Sequence, residues 1–259
     1  MRKAGDNNMR KYTDLHLKAY QNGELKSELI RKAKILGYKR VAIPTDEACT
    51  EKDREKLRKL CQDTGLEFVS RIDLTPTNTK ELLNSLRRLR RRYEIIAVNC
   101  QSKNIARQAA KDRRVDLLSF PPDPRKRFFD KAEAELASKS LPALEIDMTQ
   151  IITLSGKPRI QLLSKIREEL ELAEKFQIPV VISSGANHPL LLRGPREYIA
   201  IAESLLDLER EKAQDAISKT PNNIIERNRE KLSPNFVAPG IKIVRRGRNC
   251  QEESAEDTY

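Results

Sequence analysis

Two side chains near the amino terminus have the types and spacing of metal ligands. Asp14 and His16 are one residue apart, and alternate residues of a β-strand lie on the same face. A strand here would point a carboxylate and an imidazole the same way, and both groups bind divalent cations. Glu145 or Asp147 could add a ligand, but His188 is the only other histidine, so a full metal cluster is not expected. The alternative is a polar pair that is satisfied inside the protein.

A serine–glycine turn is the second candidate site. Ser183-Ser184-Gly185-Ala186 directly follows the apolar run PVVI. In α/β barrels, loops at the carboxyl ends of strands often hold phosphate groups with main-chain amides. A tight turn that ends a strand is the alternative interpretation. No Ser-His-Asp or Cys-His combination can be assembled from the sequence, so no catalytic residue is predicted.

Positive charge is the strongest chemical signal in the sequence. Fifty Lys and Arg residues against 38 Asp and Glu residues give a net charge of +12. In a helix predicted over residues 79–91, leucines occupy one side, and the arginines at its end occupy the other. These arginines are Arg87, Arg88, Arg91 and Arg92. Further basic residues follow at Arg107, Lys111, Arg113, Arg114, Arg125, Lys126, Arg127, Arg245, Arg246 and Arg248.

The clustering of these basic residues indicates a nucleic-acid partner. Arginine binds phosphate oxygens in a bidentate geometry, and a local excess of positive charge attracts a polyanion before contact. A surface of ion pairs is the alternative, but it would not require so uneven a distribution. The chain has six Tyr, six Phe and no Trp, which favours recognition of backbone and shape over base stacking.

Strand and helix patterns alternate along the chain. The segments ILGYKRVAI and DTGLEFVSRI both have the pattern of a helix end, a terminating glycine and a strand. Seven strands, each followed by a helix, predict a mostly parallel sheet closed into a distorted TIM-like α/β barrel. No eighth strand is visible, because residues 209–218 and 221–232 both have helical patterns. These residues are predicted to form an extra C-terminal helical segment.

The sequence also indicates one domain and an intracellular setting. Residues 1–232 are predicted to form the barrel domain, and residues 233–259 a mobile tail that is first basic and then acidic. Four irregularly spaced cysteines and the lack of a long apolar run exclude disulfide-scaffold and membrane classes. No apolar segment follows the basic amino terminus, so we expect no signal peptide and a cytoplasmic location.

Several segments resemble the protein component 3 family of ribonuclease P, the counterpart of the eukaryotic thirty-kilodalton subunit. The resemblance covers about residues 10–230 and lies in VISSGA at 181–186, HP at 188–189, RGP at 193–195 and AIS at 216–218. Upstream, YTDL at 12–15 and VDLL at 115–118 also fit. The family motif residues matched here are Ser183, Ser184, Gly185, Arg193, Gly194 and Pro195.

This resemblance implies a protein subunit that supports removal of the 5′ leader from precursor tRNA. It implies that the RNA subunit is the catalyst, with Mg²⁺ in the RNA, and that the protein alone is not catalytic and binds no cofactor. It further implies partners: ribonuclease P RNA, precursor tRNA, ribonuclease P protein component 2 and other protein subunits. The predicted RNA contacts are then Arg87, Arg88, Arg91, Arg92, Arg107 and Arg113, with Arg193 and Arg196 beside the Gly-Pro motif as a second choice.

Two rival hypotheses remain. The Asp14-x-His16 pair resembles the start of metal-dependent phosphoesterases of the polymerase-and-histidinol-phosphatase type, whose barrel is related to that of the component 3 family. Those enzymes usually continue with a second histidine, where this chain has Lys18. A metal-dependent phosphoesterase is therefore the first alternative. A barrel scaffold that binds only protein is the second.

Overall fold

The computed structural model describes residues 10–19, 24–238 and 241–242. Seven parallel strands stand side by side in chain order, from β1 to β7. These barrel strands are β1 (Thr13–Asp14), β2 (Arg40–Thr45), β3 (Glu67–Leu74), β4 (Ile95–Asn99), β5 (Leu117–Ser119), β6 (Ala143–Asp147) and β7 (Val180–Ser183). Two further strands, β8 (Phe236–Ala238) and β9 (Ile241–Lys242), form a separate sheet. The predicted TIM-like α/β barrel is confirmed.

Helices follow the strands and cover the barrel. They are α1 (Glu24–Ile35), α2 (Glu51–Asp63), α3 (Thr79–Leu89), α4 (Lys103–Lys111), α5 (Lys131–Ser138), α6 (Met148–Thr153), α7 (Gly156–Lys175), α8 (Pro195–Leu205), α9 (Arg210–Ala216) and α10 (Lys219–Leu232). Short 3₁₀ turns occur at Pro124–Lys126 and Pro189–Leu191. None of these helices is both long and apolar enough to cross a lipid bilayer.

Local sequence signals explain many of the boundaries. Thr50 and Asp53 form a reciprocal capping box at the start of α2. Gly37 and Gly65 follow α1 and α2 with φ angles of +95° and +73°, a conformation that glycine adopts without a steric penalty. Each glycine therefore ends its helix and lets the chain turn directly into the next strand, as the repeated helix–Gly–strand pattern predicts.

Four elements differ from the sequence-based expectations. Helix α3 ends at Leu89, so Arg91 and Arg92 lie in the turn after it. Helix α6 is not predicted from the sequence, because six residues carry too little periodicity to identify a helix. Strands β8 and β9 form an antiparallel hairpin within the predicted tail. The division at residue 232 stays a prediction, and residues 243–259 lie outside the described residues.

The barrel closes between β7 and β1 without a ladder of strand pairing in the described residues. One main-chain hydrogen bond joins Lys18 N to Ala186 O at 2.9 Å. Ser184 makes two more connections: its N–H donates to the Asp14 carboxylate at 2.9 Å, and its hydroxyl donates to His16 O at 3.1 Å. Side chains thus complete the hydrogen bonding that an eighth strand would supply in a regular barrel.

Helix α10 plugs the amino-terminal end of the barrel, which we call the base. Its Ile224 and Ile225 belong to the same buried cluster as inward-facing strand residues. Those strand residues are Ala42, Val69, Ile95, Ala97, Leu117, Ala143 and Val181, and Leu15 in the bend after β1 joins them. The cysteines that the structure describes, Cys49, Cys61 and Cys100, are free thiols.

Truncating the plug should destabilise the whole barrel. Ile225 is fully buried, so Ile225→Ala leaves a cavity and is expected to lower the free energy of unfolding by about 2–5 kcal/mol in urea denaturation. Ile35→Ala is the matched control, because Ile35 is 83% exposed and its loss should matter by less than about 0.5 kcal/mol. Equal effects of the two substitutions would show that α10 does not plug the barrel.

Candidate functional site

The carboxyl-terminal end of the barrel, which we call the mouth, contains a buried network of charges around Arg71. The Arg71 guanidinium is fully buried on β3 and bonds both carboxylate oxygens of Glu145 on β6, at 2.6 and 2.8 Å. It also donates to Asp73 at 2.6 Å and to the main-chain oxygen of Leu15 at 2.6 Å. One guanidinium thereby connects β3 to β6 and to the segment that follows β1.

His16 lies between two carboxylates of this network. Its Nδ1 is 2.8 Å from Asp147 and its Nε2 is 2.9 Å from Asp73. Burial and the nearby Arg71 charge oppose protonation of the imidazole, but the two carboxylates outweigh them and raise the pKa of His16 to about 9. The imidazole is therefore protonated at neutral pH and acts as a second cation in the mouth.

The predicted pairing of Asp14 with His16 on one strand face is wrong. Strand β1 ends at Asp14 and the chain bends at Leu15, so strict alternation does not continue. The Asp14 carboxylate instead accepts the main-chain N–H groups of His16 and Ser184, at 3.1 and 2.9 Å. Burial raises the pKa of Asp14, against the lowering effect of these hydrogen bonds. Asp14 thus holds the β7–β1 closure and meets His16 at its main-chain N–H, whereas the imidazole pairs with Asp73 and Asp147.

The serine–glycine motif also has a structural role in the mouth. The Ser183 hydroxyl donates to Glu145 at 2.7 Å. Gly185 has a φ of +62°, and a Cβ atom at this position would lie 2.8 Å from the Cγ of Asp147. Within this turn the N–H of Ser184 donates to Asp14 and the N–H of Ala186 donates to the Ser184 hydroxyl at 3.1 Å. Both amides therefore already have acceptors within the protein, which favours the tight-turn interpretation over a phosphate loop.

A basic cleft of about 800 Å³ lies at the base of the barrel. The turn after α3 contributes Arg90 and Arg91, and the turn before β5 contributes Arg113 and Arg114. Lys231 of α10 completes the positive charge. Apolar atoms come from Leu141 and from the chain after α10, and Asn228, Leu232, Ser233, Pro234, Phe236 and Val237 form the rest of the lining.

Part of this positive charge is neutralised and part is not. Asp116 is buried and pairs with Arg90 and also with Arg227 of α10. Asp112 pairs with Arg114 at 2.7 Å. Arg91, Arg113 and Lys231 have no carboxylate in ion-pair contact among the described residues.

The lowered pKa of Lys231 reflects the surplus of positive charge in the cleft. Burial lowers the pKa of Lys231, and the charges of Arg227, Arg90 and Arg113 lower it further, despite the opposing effect of Asp116. Like charges held this close favour the binding of an anion, since an anion relieves their mutual repulsion. The cleft can therefore hold a phosphate group between Lys231 and the arginines of the two turns.

The eight arginines predicted to bind RNA are in different environments. Arg91 and Arg113 line the cleft, and Arg87 and Arg92 are exposed on or just after α3. Arg88 pairs with Glu47, and Arg107 pairs with the buried Glu133 at 3.1 Å. The Arg193 guanidinium donates to Leu192 O at 3.2 Å within its own loop, and Arg196 is exposed in the first turn of α8.

One residue of the basic cluster at positions 125–127 is buried in the core. Arg127 is 2% exposed at its side chain and pairs with the fully buried Glu169 of α7 at 2.6 Å. Its guanidinium also lies over the ring of Phe120, 5.6 Å from the ring centre. Arg127 therefore anchors the segment before α5 to α7, and it does not belong to an RNA-binding surface.

Sequence reasoning missed Arg71 and Lys231. Each lies outside the basic clusters, so a search for runs of positive charge passes over it. A signal for Arg71 exists in the β3 sequence EFVSRIDL, where alternation places Val69, Arg71 and Asp73 on one face. An arginine and an aspartate on the face that carries a buried valine indicate an internal ion pair. No comparable signal exists for Lys231.

The fold and its two sites define a TIM-like barrel protein with a salt-bridged mouth and a cationic cleft at the base. The chain belongs to the family of RNase P subunit p30, whose model matches residues 11–233. It is similar to ribonuclease P protein component 3 of Methanosarcina barkeri, with 29% identity over 238 residues, 92% of this chain and 97% of that protein. The Methanosarcina mazei protein of the same name is 30% identical over 84% of this chain and 88% of its own length.

Two solved structures have a similar fold. A chain in the cryo-EM structure of archaeal ribonuclease P with mature tRNA superposes with a TM-score of 0.80 at 24% identity, over 90% of this chain and 98% of that chain. Dihydroorotase from Campylobacter jejuni superposes with a TM-score of 0.52 at 14% identity, over 84% and 83% of the two chains. At these identities the likeness establishes the barrel fold.

The position of His16 predicts a stability that falls as the pH rises. The folded-state pKa of about 9 exceeds the usual 6.5. The stabilising contribution, at most about 3 kcal/mol, is therefore complete below pH 6.5 and is lost as the pH rises through 9. Urea denaturation between pH 6 and pH 9 should show this loss in the wild type and not in His16→Gln.

His188→Gln is the matched control for that measurement. The ring of His188 accepts a hydrogen bond from the main-chain N–H of Leu190 at 3.1 Å, and the charge network of the mouth does not include it. The pH dependence should therefore survive this substitution. A pH profile of His16→Gln that is parallel to the wild-type profile would contradict the ion-paired state of His16.

Proposed function

We propose that this chain is a protein subunit of ribonuclease P, in which it supports the catalytic RNA during removal of the 5′ leader from precursor tRNA. The observation that carries the proposal is the family match, which extends over residues 11–233 and so includes both the mouth and the base of the barrel. The related component 3 proteins align over most of their length.

The base of the barrel supplies the contact with RNA in this proposal. Arg91, Arg113 and Lys231 have no carboxylate in ion-pair contact within the described part of the chain, so their charge is available to phosphates. Each such contact releases counterions from the RNA, which makes the affinity depend on salt. The exposed Arg87 and Arg92 extend the surface along α3. Arg88, Arg107 and Arg193 stay candidates, but each would first have to leave its present partner. Arg196 also stays a candidate and would act from outside the cleft.

The remaining parts of the proposal concern partners and setting. Protein component 2 and the other protein subunits are the protein partners, and precursor tRNA is the substrate of the assembly. Mg²⁺ acts in the RNA subunit. The assembly works in the cytoplasm.

A metal-dependent phosphoesterase is disfavoured by the geometry of the mouth. His16, Glu145 and Asp147 offer donor atoms within 4.8 Å of one another. These donors already contact Arg71, Asp73, Lys18 and Ser183 or one another. Asp14, the fourth residue of the hypothetical site, is at the β7–β1 closure.

Removing cleft charge should weaken RNA binding and reduce its salt dependence. Arg91→Gln/Arg113→Gln is expected to lower the affinity for ribonuclease P RNA about tenfold or more at low salt. The slope of log K against log salt should fall in magnitude by about 1.4–1.8, because about 0.7–0.9 is lost with each of the two phosphate contacts. Filter binding or fluorescence anisotropy across a salt series measures both quantities.

The matched control removes the same charge elsewhere. Arg58 and Arg210 are exposed and pair with Glu55 and Glu203, and neither lines the cleft. Arg58→Gln/Arg210→Gln should retain the wild-type slope. If both double variants lose the same affinity and the same salt slope, the cleft contributes only net charge, and the proposed contact with phosphates is wrong.

Reconstitution tests the role in leader cleavage. The RNA subunit and the partner proteins should cleave precursor tRNA faster at moderate Mg²⁺ when this chain is present, and the chain alone should release no leader. If the complete mixture cleaves no faster with the chain than without it, the proposed function is wrong.

A further inference from the structure

We propose that the Arg71 guanidinium is a built-in cation that takes the place of a divalent metal ion in the mouth of the barrel. The proposal goes beyond the function in ribonuclease P, since it concerns the end of the barrel opposite the basic cleft. It explains why a barrel mouth with three carboxylates and a histidine need not bind a metal.

Glu145 is the central donor of the mouth, and its oxygens are taken. Both accept hydrogen bonds from Arg71, and one also accepts the Ser183 hydroxyl at 2.7 Å. A metal ion binds a carboxylate through the same lone pairs. For Glu145 to bind a metal, the guanidinium would have to move, and its side chain is fully buried.

The outer donors are taken in the same way. Asp147 contacts His16 at 2.8 Å and Lys18 at 3.3 Å. Asp73 contacts Arg71 at 2.6 Å and the other ring nitrogen of His16 at 2.9 Å. The imidazole therefore presents both nitrogens to carboxylates, and neither faces an open coordination position.

Charge and shape support the same conclusion. Arg71 is the largest fully buried side chain of the described residues, and its charge lies within hydrogen-bond distance of two of the three carboxylates. A divalent cation beside it would be repelled at short range in a medium of low dielectric constant. The residues of the mouth do not fit a metal ion while Arg71 is present.

The same geometry predicts the effect of removing Arg71. Arg71→Ala vacates the space between Glu145, Asp73 and His16 and leaves buried carboxylates without their cation, which is strongly destabilising. Carboxylate and imidazole groups gathered around such a space are ligands for Mn²⁺ and Zn²⁺. The variant should therefore gain a metal site that the wild type lacks.

Metal titration of the full chain tests this proposal, with Mn²⁺ and Zn²⁺ as the probes. By calorimetry and thermal unfolding, the wild type should show no saturable site and no shift in Tm. Arg71→Ala should bind one equivalent, and its Tm should rise by about 5–10 °C at a hundredfold excess over Kd. Adding Asp147→Asn to Arg71→Ala should abolish both effects, which separates the mouth from carboxylates on the surface.

Three outcomes would overturn the proposal. These are a stoichiometric site in the wild type that Asp147→Asn removes, a folded Arg71→Ala that binds no metal, and metal binding by Arg71→Lys, which keeps the charge. If Arg71→Ala is unfolded in EDTA, refolding on addition of Mn²⁺ supports the proposal. Failure to refold, with Arg71→Lys folded, counts against it. The metal titration does not depend on the reconstitution experiment. A failure of leader cleavage there would count against the proposed function and not against the role of Arg71.

Discussion

The buried ion pair between Arg71 and Glu145 is the constraint on which the rest of the barrel mouth depends. Burying a guanidinium is costly unless nearly all of its N–H groups find acceptors. Arg71 finds them on Glu145, on Asp73 and on Leu15 O, which come from three parts of the barrel. Because these acceptors must converge, the positions of β3, β6 and the chain after β1 are fixed relative to one another. A closed, charge-balanced mouth results from that convergence.

Arginine serves two opposite purposes in this protein, and its surroundings decide which one. Arg71 and Arg127 are buried against Glu145 and Glu169, where they hold elements together. Arg91 and Arg113 are exposed in the basal cleft beside Lys231, where their charge is not balanced locally. Each of these two internal arginines is matched by a buried glutamate, so the net charge of +12 comes from the rest of the chain. The second group is the one whose charge the proposed RNA contact at the base uses.

The sequence is sufficient to predict the barrel and insufficient to predict its mouth. Helix periodicity and terminating glycines recur along the chain, so seven strand–helix units are recognisable from local signals. The pairing of Asp14 with His16 fails, because β1 has two residues and the chain bends immediately after it. Local pattern groups Arg127 with surface charge because Glu169, its partner, lies 42 residues away. Long-range pairs of this kind cannot be predicted from local sequence patterns. The convergence of Arg91 and Arg113 can be predicted, because consecutive helices are neighbours in a barrel.

Directed hydroxyl-radical cleavage tests the central claim, that RNA lies against the base of the barrel and not against its mouth. Iron–EDTA would be attached to Asn235→Cys beside the basal cleft or to Gln101→Cys after β4 at the mouth, both exposed positions, with Cys49 and Cys250 replaced by serine. In the reconstituted ribonucleoprotein, the probe at position 235 should cut the RNA and the probe at position 101 should not. Cuts from position 101 with none from position 235 would contradict the account.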